Sequence, residues 1–179
     1  MFTGNTLMVM AWASGRVRTA EVLRAWAIVY CGNLLGAVAT AVLVFATEEH
    51  WRAGGHVGTA ALAIAQSKAV IAFVPAMISG ILANVLVCLA VWLCHSARST
   101  ADKILAIVPP ITAFVAAGFE HSVANMYLIP SGLLIKYGAE EAFWAFAGVQ
   151  PEAYLALTVT GFIANLLQIR SGIARLLER

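Results

Sequence analysis

Apolar runs separated by short charged or glycine-rich gaps set the pattern of this chain, and five such runs can be marked. The first, Asn5–Ser14, falls short of the roughly 20 residues needed to cross a bilayer and closes at Gly15, Arg16 and Arg18. The second runs from about Val22 to Ala46, and a polar patch, Glu48 to Gly58, follows it. The third is long, from about Thr59 to Cys94, interrupted by Lys68 and Pro75. The fourth runs from about Ile104 to Ile135 and contains Pro109, Pro110, Gly118, Glu120 and His121. The fifth, Ala153–Leu167, is again short, and the chain then turns polar with arginines. The pattern predicts an all-α integral membrane protein with a single transmembrane domain over residues 1–167, followed by a polar tail at 168–179.

Composition supports that class. Hydrophobic residues make up 61% of the 179 positions and charged residues 11%, with a mean hydropathy of +0.86. A soluble domain carries about 25% charged residues, so these charges are too few to cover a water-soluble fold. The net charge of +2 and the lack of a basic run offer nothing to nucleic acid. Cys31, Cys88 and Cys94 show no CxxC pairing and read as small packing residues. No metal or cofactor is called for.

The charges fix an orientation. With Lys68 set aside, eight of the ten remaining Lys and Arg residues fall in Gly15–Arg24, His95–Lys103 and Arg170–Arg179, while the alternate loops hold Arg52 and Lys136. By the positive-inside bias, the basic loops and the C-terminus are expected in the cytoplasm of a bacterial-type inner membrane. Ser99 followed by Asp102 predicts a capped start for the fourth run. The Gly32–Gly36 spacing is a GxxxG pattern, which reads as generic helix packing in lipid.

Polar residues inside apolar runs carry the functional signal, because an ionisable group at mid-bilayer costs at least about 2.5 kcal/mol. Glu120, His121 and Ser122 are consecutive, so an unbroken helix cannot turn all three toward one cavity. Gly118 just before them predicts a break, and Asn125 lies one turn on. A helix restarting near Ser122 would present free N–H groups and the positive end of its dipole, a good anion site. A kink whose Glu and His pair with neighbours is the plainer alternative. Phe2-Thr3-Gly4-Asn5 before the short first run reads either as the far half of another broken helix or as an ordinary helix start. Lys68 and Asn84 would stand about 24 Å apart on one continuous helix, hence at different depths. Lys68 could draw anions to a pore mouth or snorkel to the interface.

At these residues the chain resembles the formate/nitrite transporters. Phe119-Glu120-His121-Ser122-Val123-Ala124-Asn125-Met126 is similar to that family's signature, Phe2-Thr3-Gly4-Asn5 to its second, and the Asn84–Trp92 stretch to a third. The resemblance runs nearly without gaps from Phe2 to about Leu167. It implies an aquaporin-like helical bundle with an inverted three-plus-three repeat, broken helices two and five, one pore per protomer and a homopentameric assembly in the lipid bilayer. It further implies a small monovalent anion as substrate, formate first and nitrite second. Thr3 and His121 would be the polar groups at the pore centre, with Asn84 supporting the histidine. Phe2, Phe114 and Glu120 would stand at the constrictions, and Lys68 would match the lysine associated with anion entry. An imidazole, with an ordinary pKa near 6.5, is the central group suited to sharing a proton with the anion, which passes an apolar constriction more easily as a neutral acid.

The chain departs from the family pattern at both ends. Met1 stands directly before the Phe-Thr-Gly-Asn motif, where the family carries a first helix and the near half of the broken second. Beyond Leu167 the polar tail replaces a proline and a Gly-Asn-rich segment. These departures predict an incomplete inverted repeat and an aberrant cytoplasmic tail, and they leave a non-conducting remnant or a membrane assembly subunit as the alternative function. An intramembrane enzyme built on Glu120, His121 and Ser122 is disfavoured. Nucleophile and base must converge in space rather than sit side by side in sequence, and His50, His56 and His95 lie in or beside loops.

Overall fold

The computed structural model describes residues 3–166, with the side chains of residues 3–6 and of Phe73 outside that description. Phe2 and the 168–179 tail therefore lie outside the described residues. Within them the chain forms helices and no β-strand. The order is α1 (Thr3–Ala13), α2 (Thr19–Ala46), a 3-10 turn (Glu49–Trp51), α3 (His56–Ala69), α4 (Phe73–Ser96), α5 (Thr100–Ala116), α6 (Ser122–Gly138), α7 (Glu141–Ala147) and a second 3-10 turn (Pro151–Tyr154). Residues 159–166 are helical again.

Two expectations about the runs change. The third run is two helices, α3 and α4, with a non-helical step at Val70, Ile71 and Ala72. Pro75 does not interrupt a helix. It sits in the first turn of α4, where its missing N–H would be unpaired anyway. The spacing of a continuous helix therefore does not apply between Lys68 and Asn84. The fifth run does not begin a helix at Ala153. Pro151–Tyr154 is a 3-10 turn and helix resumes only at residue 159, while the seven-residue α7 precedes both.

The capped start of α5 is present as expected. The Asp102 N–H donates to Ser99 Oγ at 3.1 Å and the Ser99 N–H donates to Asp102 Oδ2 at 3.0 Å, satisfying two helix-end donors reciprocally. α5 continues through Pro109 and Pro110, and α6 through Pro130.

The chain divides into two compact units, Met1–Gly32 with Ala76–His121, and Asn33–Pro75 with Ser122–Arg179. In the first unit α4 presents Ile78, Ile81, Leu82, Val85 and Trp92 outward. Such a surface suits hydrocarbon rather than water. α2 and α4 are each long and apolar enough to cross a membrane. The second unit has a conventional packed core, in which Leu62 and Ala65 of α3 meet Ile129 and Leu133 of α6, Phe143 and Trp144 of α7, and Leu157. α3 and α6 approach closely because Gly132 has no side chain. A Cβ there would collide with the Cβ of Ala65 and meet Leu157 Cδ2 at 3.0 Å. The GxxxG glycines behave differently, since among the described residues nothing lies within 4 Å of a Cβ placed at Gly32 or Gly36.

Four long-range hydrogen bonds from three side chains tie the 150–166 segment to α3 and α6. Gln66 Nε2 donates to the Ala153 carbonyl at 3.2 Å, and Asn165 Nδ2 donates to the Lys68 carbonyl at 3.1 Å. Lys136 Nζ donates to the carbonyls of Tyr154 and Leu157 at 2.8 and 2.9 Å. Lys68 O belongs to the last turn of α3, whose carbonyls lack intrahelical partners, so a side-chain donor there answers a standing need.

Candidate functional site

The chain leaves α5 at Ala116 and re-enters helix at Ser122. Ala117 and Gly118 still donate backward, to Ala113 O at 3.0 Å and Val115 O at 3.1 Å, which closes the helix. Gly118 then takes φ +64°, the left-handed conformation that favours glycine and ends helices. Phe119, Glu120 and His121 follow without regular structure. The break expected from Gly118 and the consecutive polar residues is therefore present in the chain.

Within the first unit this turn is held from two sides. The imidazole of His121 meets the Phe114 ring edge-on, at a centroid separation of 5.8 Å and an interplanar angle of 85°. Phe114 reaches it from α5, one helical turn before the break. Glu120 is 9% exposed, and its backbone N–H donates to Ser79 Oγ of α4 at 2.7 Å. Gly80, the next residue of α4, brings its backbone close as well, since a Cβ added there would meet the Glu120 carbonyl oxygen at 3.9 Å.

The other named residues are placed as follows. Thr3 opens α1 and its side chain lies outside the described set. Asn84 is exposed on α4, and no hydrogen bond joins it to His121 among the described residues. In the second unit Asn125 is buried in the first turn of α6, and Lys68 is half-buried in the last turn of α3.

Sequence reasoning passed over Ser79, although a hydroxyl inside an apolar run was the same kind of signal that exposed His121. It also read Lys136 only as a loop charge, whereas its ammonium is spent on two carbonyls. His50 lies in the 3-10 turn between α2 and α3, as its expected place in or beside a loop requires, yet it is 7% exposed. It stacks on Phe45 at 5.0 Å and 11° and meets Phe143 edge-on at 5.3 Å. Burial pushes its pKa below the ordinary histidine value, with Glu48 acting weakly in the opposite sense.

Comparison with known proteins places this chain in a family. Residues 1–171 match the family model described as formate/nitrite transporter. The chain is 43% identical to the formate channel FocA of Escherichia coli K12 over 173 residues, 96% of this chain and 61% of the relative. It is 38% identical to formate channel FocA of Haemophilus influenzae, with the same coverage. Among solved structures it is similar to a pentameric formate channel with formate bound, at 41% identity and a TM-score of 0.79, covering 84% of this chain and 59% of that one. The chain thus spans about three-fifths of the length of these relatives. Its fold is the all-α, aquaporin-like fold of those membrane channels. On the match of nearly its whole length, the chain belongs to the formate/nitrite transporter family.

Proposed function

We propose that this chain forms the wall of a membrane pore for a small monovalent anion, formate first and nitrite second, with His121 at its centre. The observation that carries the reading is the turn between α5 and α6. It interrupts helix inside an apolar run and holds an imidazole against an aromatic ring. Irregular backbone at membrane depth is tolerated where it lines a cavity or is buried in protein. A turn carrying Glu120 and His121 in such a place is costly unless it serves a permeant species.

The residues divide the work by chemistry. Phe114 and Phe2 supply the apolar constrictions, where a bare anion loses hydration and gains nothing in return. His121 and Thr3 supply the polar centre, with Asn84 as support. His121 passes a proton to the carboxylate or nitrite oxygen, and the neutral acid crosses the apolar stretch. Glu120 holds the turn, Asn125 stands at the start of α6, and Lys68 concentrates anions at the outer mouth. The basic loops face the cytoplasm and the protomers assemble as pentamers in the inner membrane, as the solved relative is pentameric. Residues 1–167 constitute the transmembrane domain.

The test is anion flux through the purified chain in lipid vesicles, followed by internal pH and by isotope-labelled formate. Formate release above that of protein-free vesicles, with nitrite competing, is the expected result. Vesicles as tight as the protein-free control would remove the pore reading for this chain.

A further inference from the structure

We infer that Ser79 is a positioning residue for the pore turn, acting on His121 through the backbone of Glu120. The inference rests on the pore reading above for its functional meaning, but its geometry stands alone. Ser79 lies on α4 and its Oγ accepts the Glu120 N–H at 2.7 Å, across 41 positions of sequence. That is a short bond for a neutral amide donor. It lands on a residue with no regular secondary structure, directly before the imidazole. The backward bonds of Ala117 and Gly118 close α5 and leave the peptides beyond it to find partners elsewhere. Glu120 is largely buried, so losing the hydroxyl leaves its amide with little water to replace the bond.

α4 also runs beside the turn at the next residue. A Cβ added at Gly80 would meet the Glu120 carbonyl oxygen at 3.9 Å, an ordinary van der Waals separation, so the α4 backbone passes near the same peptide stretch that Ser79 holds by its N–H. Residue 120 is therefore held from α4 at its amide, by the Ser79 hydroxyl. His121 is fixed at one end by that anchor and at its ring by Phe114. A hydroxyl at position 79 thus sets where the imidazole sits relative to the aromatic ring.

The test uses the full chain and an isosteric pair. Ser79→Thr keeps the hydroxyl and Ser79→Val keeps the size of threonine without it, so bulk and chemistry are separated. Two readouts are followed in vesicles. The first is amide hydrogen exchange of peptides covering 117–122. The second is the rate at which diethyl pyrocarbonate modifies His121, measured peptide by peptide against pH. Losing the bond speeds exchange at Glu120 by at least about fivefold in Ser79→Val, and the His121 modification profile moves, while Ser79→Thr tracks the parent in both. Identical behaviour of Thr and Val overturns the inference. Faster exchange with an unmoved His121 profile overturns it as well, because Ser79 would then be a structural contact only. Absence of formate flux in the parent chain would sink the pore reading and leave these two readouts to decide the role of Ser79.

Discussion

The His121 imidazole and the Phe114 ring meet edge to face at 5.8 Å, so the polar group of the turn is held by an apolar neighbour on the preceding helix. Such a pair contributes about 0.5–1.5 kcal/mol beyond the area it buries, enough to favour one ring orientation over its alternatives.

On the proposed pore reading, Phe114 acts as a filter as well as a support. In Phe114→Ala the constriction widens and the imidazole loses its backstop. The acetate-to-formate flux ratio is expected to rise by about tenfold, corresponding to ~1.4 kcal/mol of lost discrimination. Parallel flux assays with the two acids check this, and an unchanged ratio would place Phe114 away from the permeation path.

Gly132 sets the distance between α3 and α6. Gly132→Ala forces its new methyl against the Ala65 Cβ, and overpacking of this kind costs about 1–3 kcal/mol. The thermal midpoint of the purified chain in detergent should fall accordingly. Ala65→Gly in the same chain should recover most of the loss, because it removes the atom that is struck. Failure of the double variant to recover would assign the cost to something other than this contact.

Lys136 holds the 3-10 turn and the residues after it through two carbonyls. Hydrogen bonds from a charged donor contribute about 1.5–3 kcal/mol each when partly buried. Lys136→Met keeps the length of the side chain and drops the donors. Hydrogen exchange in peptides covering 153–158 is expected to accelerate more than anywhere in α3, and uniform acceleration across the chain would contradict a local clamp.

His50 gives the second unit an acid-sensitive point. Its pKa is lowered chiefly by burial, so the unfolded chain binds a proton more readily than the folded one. Stability is then complete above the unfolded value near 6.5 and falls as pH drops from there toward the folded pKa. Protonation would also put a cation among Phe45, Trp51 and Phe143, with Nδ1 lacking a hydrogen-bond partner among the described residues. Thermal midpoints measured from about pH 7.5 down to about pH 5 should decline in the parent and decline less in His50→Phe. Equal slopes would show that other groups carry the acid response.

The break before Ser122 was legible because two local signals agree there, a glycine that takes positive φ and three polar residues that no single helix face can hold. The capped start of α5 was legible for the same reason, since both halves of the Ser99–Asp102 pair are local. The split between α3 and α4 was not. Val70, Ile71 and Ala72 are apolar and carry no turn chemistry, and the true marker, Pro75, sits after the break, inside the first turn of the next helix. α7 was not legible, because seven residues are too few to show a period, even with Glu141 as a first-turn acid. The bonds from Ser79, Gln66, Lys136 and Asn165 join positions far apart in sequence. Their polar character was visible, but their partners depend on packing that no local pattern encodes.

Formate flux against pH in His121→Phe vesicles decides whether His121 shares a proton with the permeating anion. The range from about pH 5 to about pH 8 covers the charge change of an imidazole. The parent's flux is expected to depend on pH across this range, and His121→Phe to lose most of that flux or its pH dependence while still inserting and assembling. A His121→Phe profile that overlays the parent at every pH would contradict it.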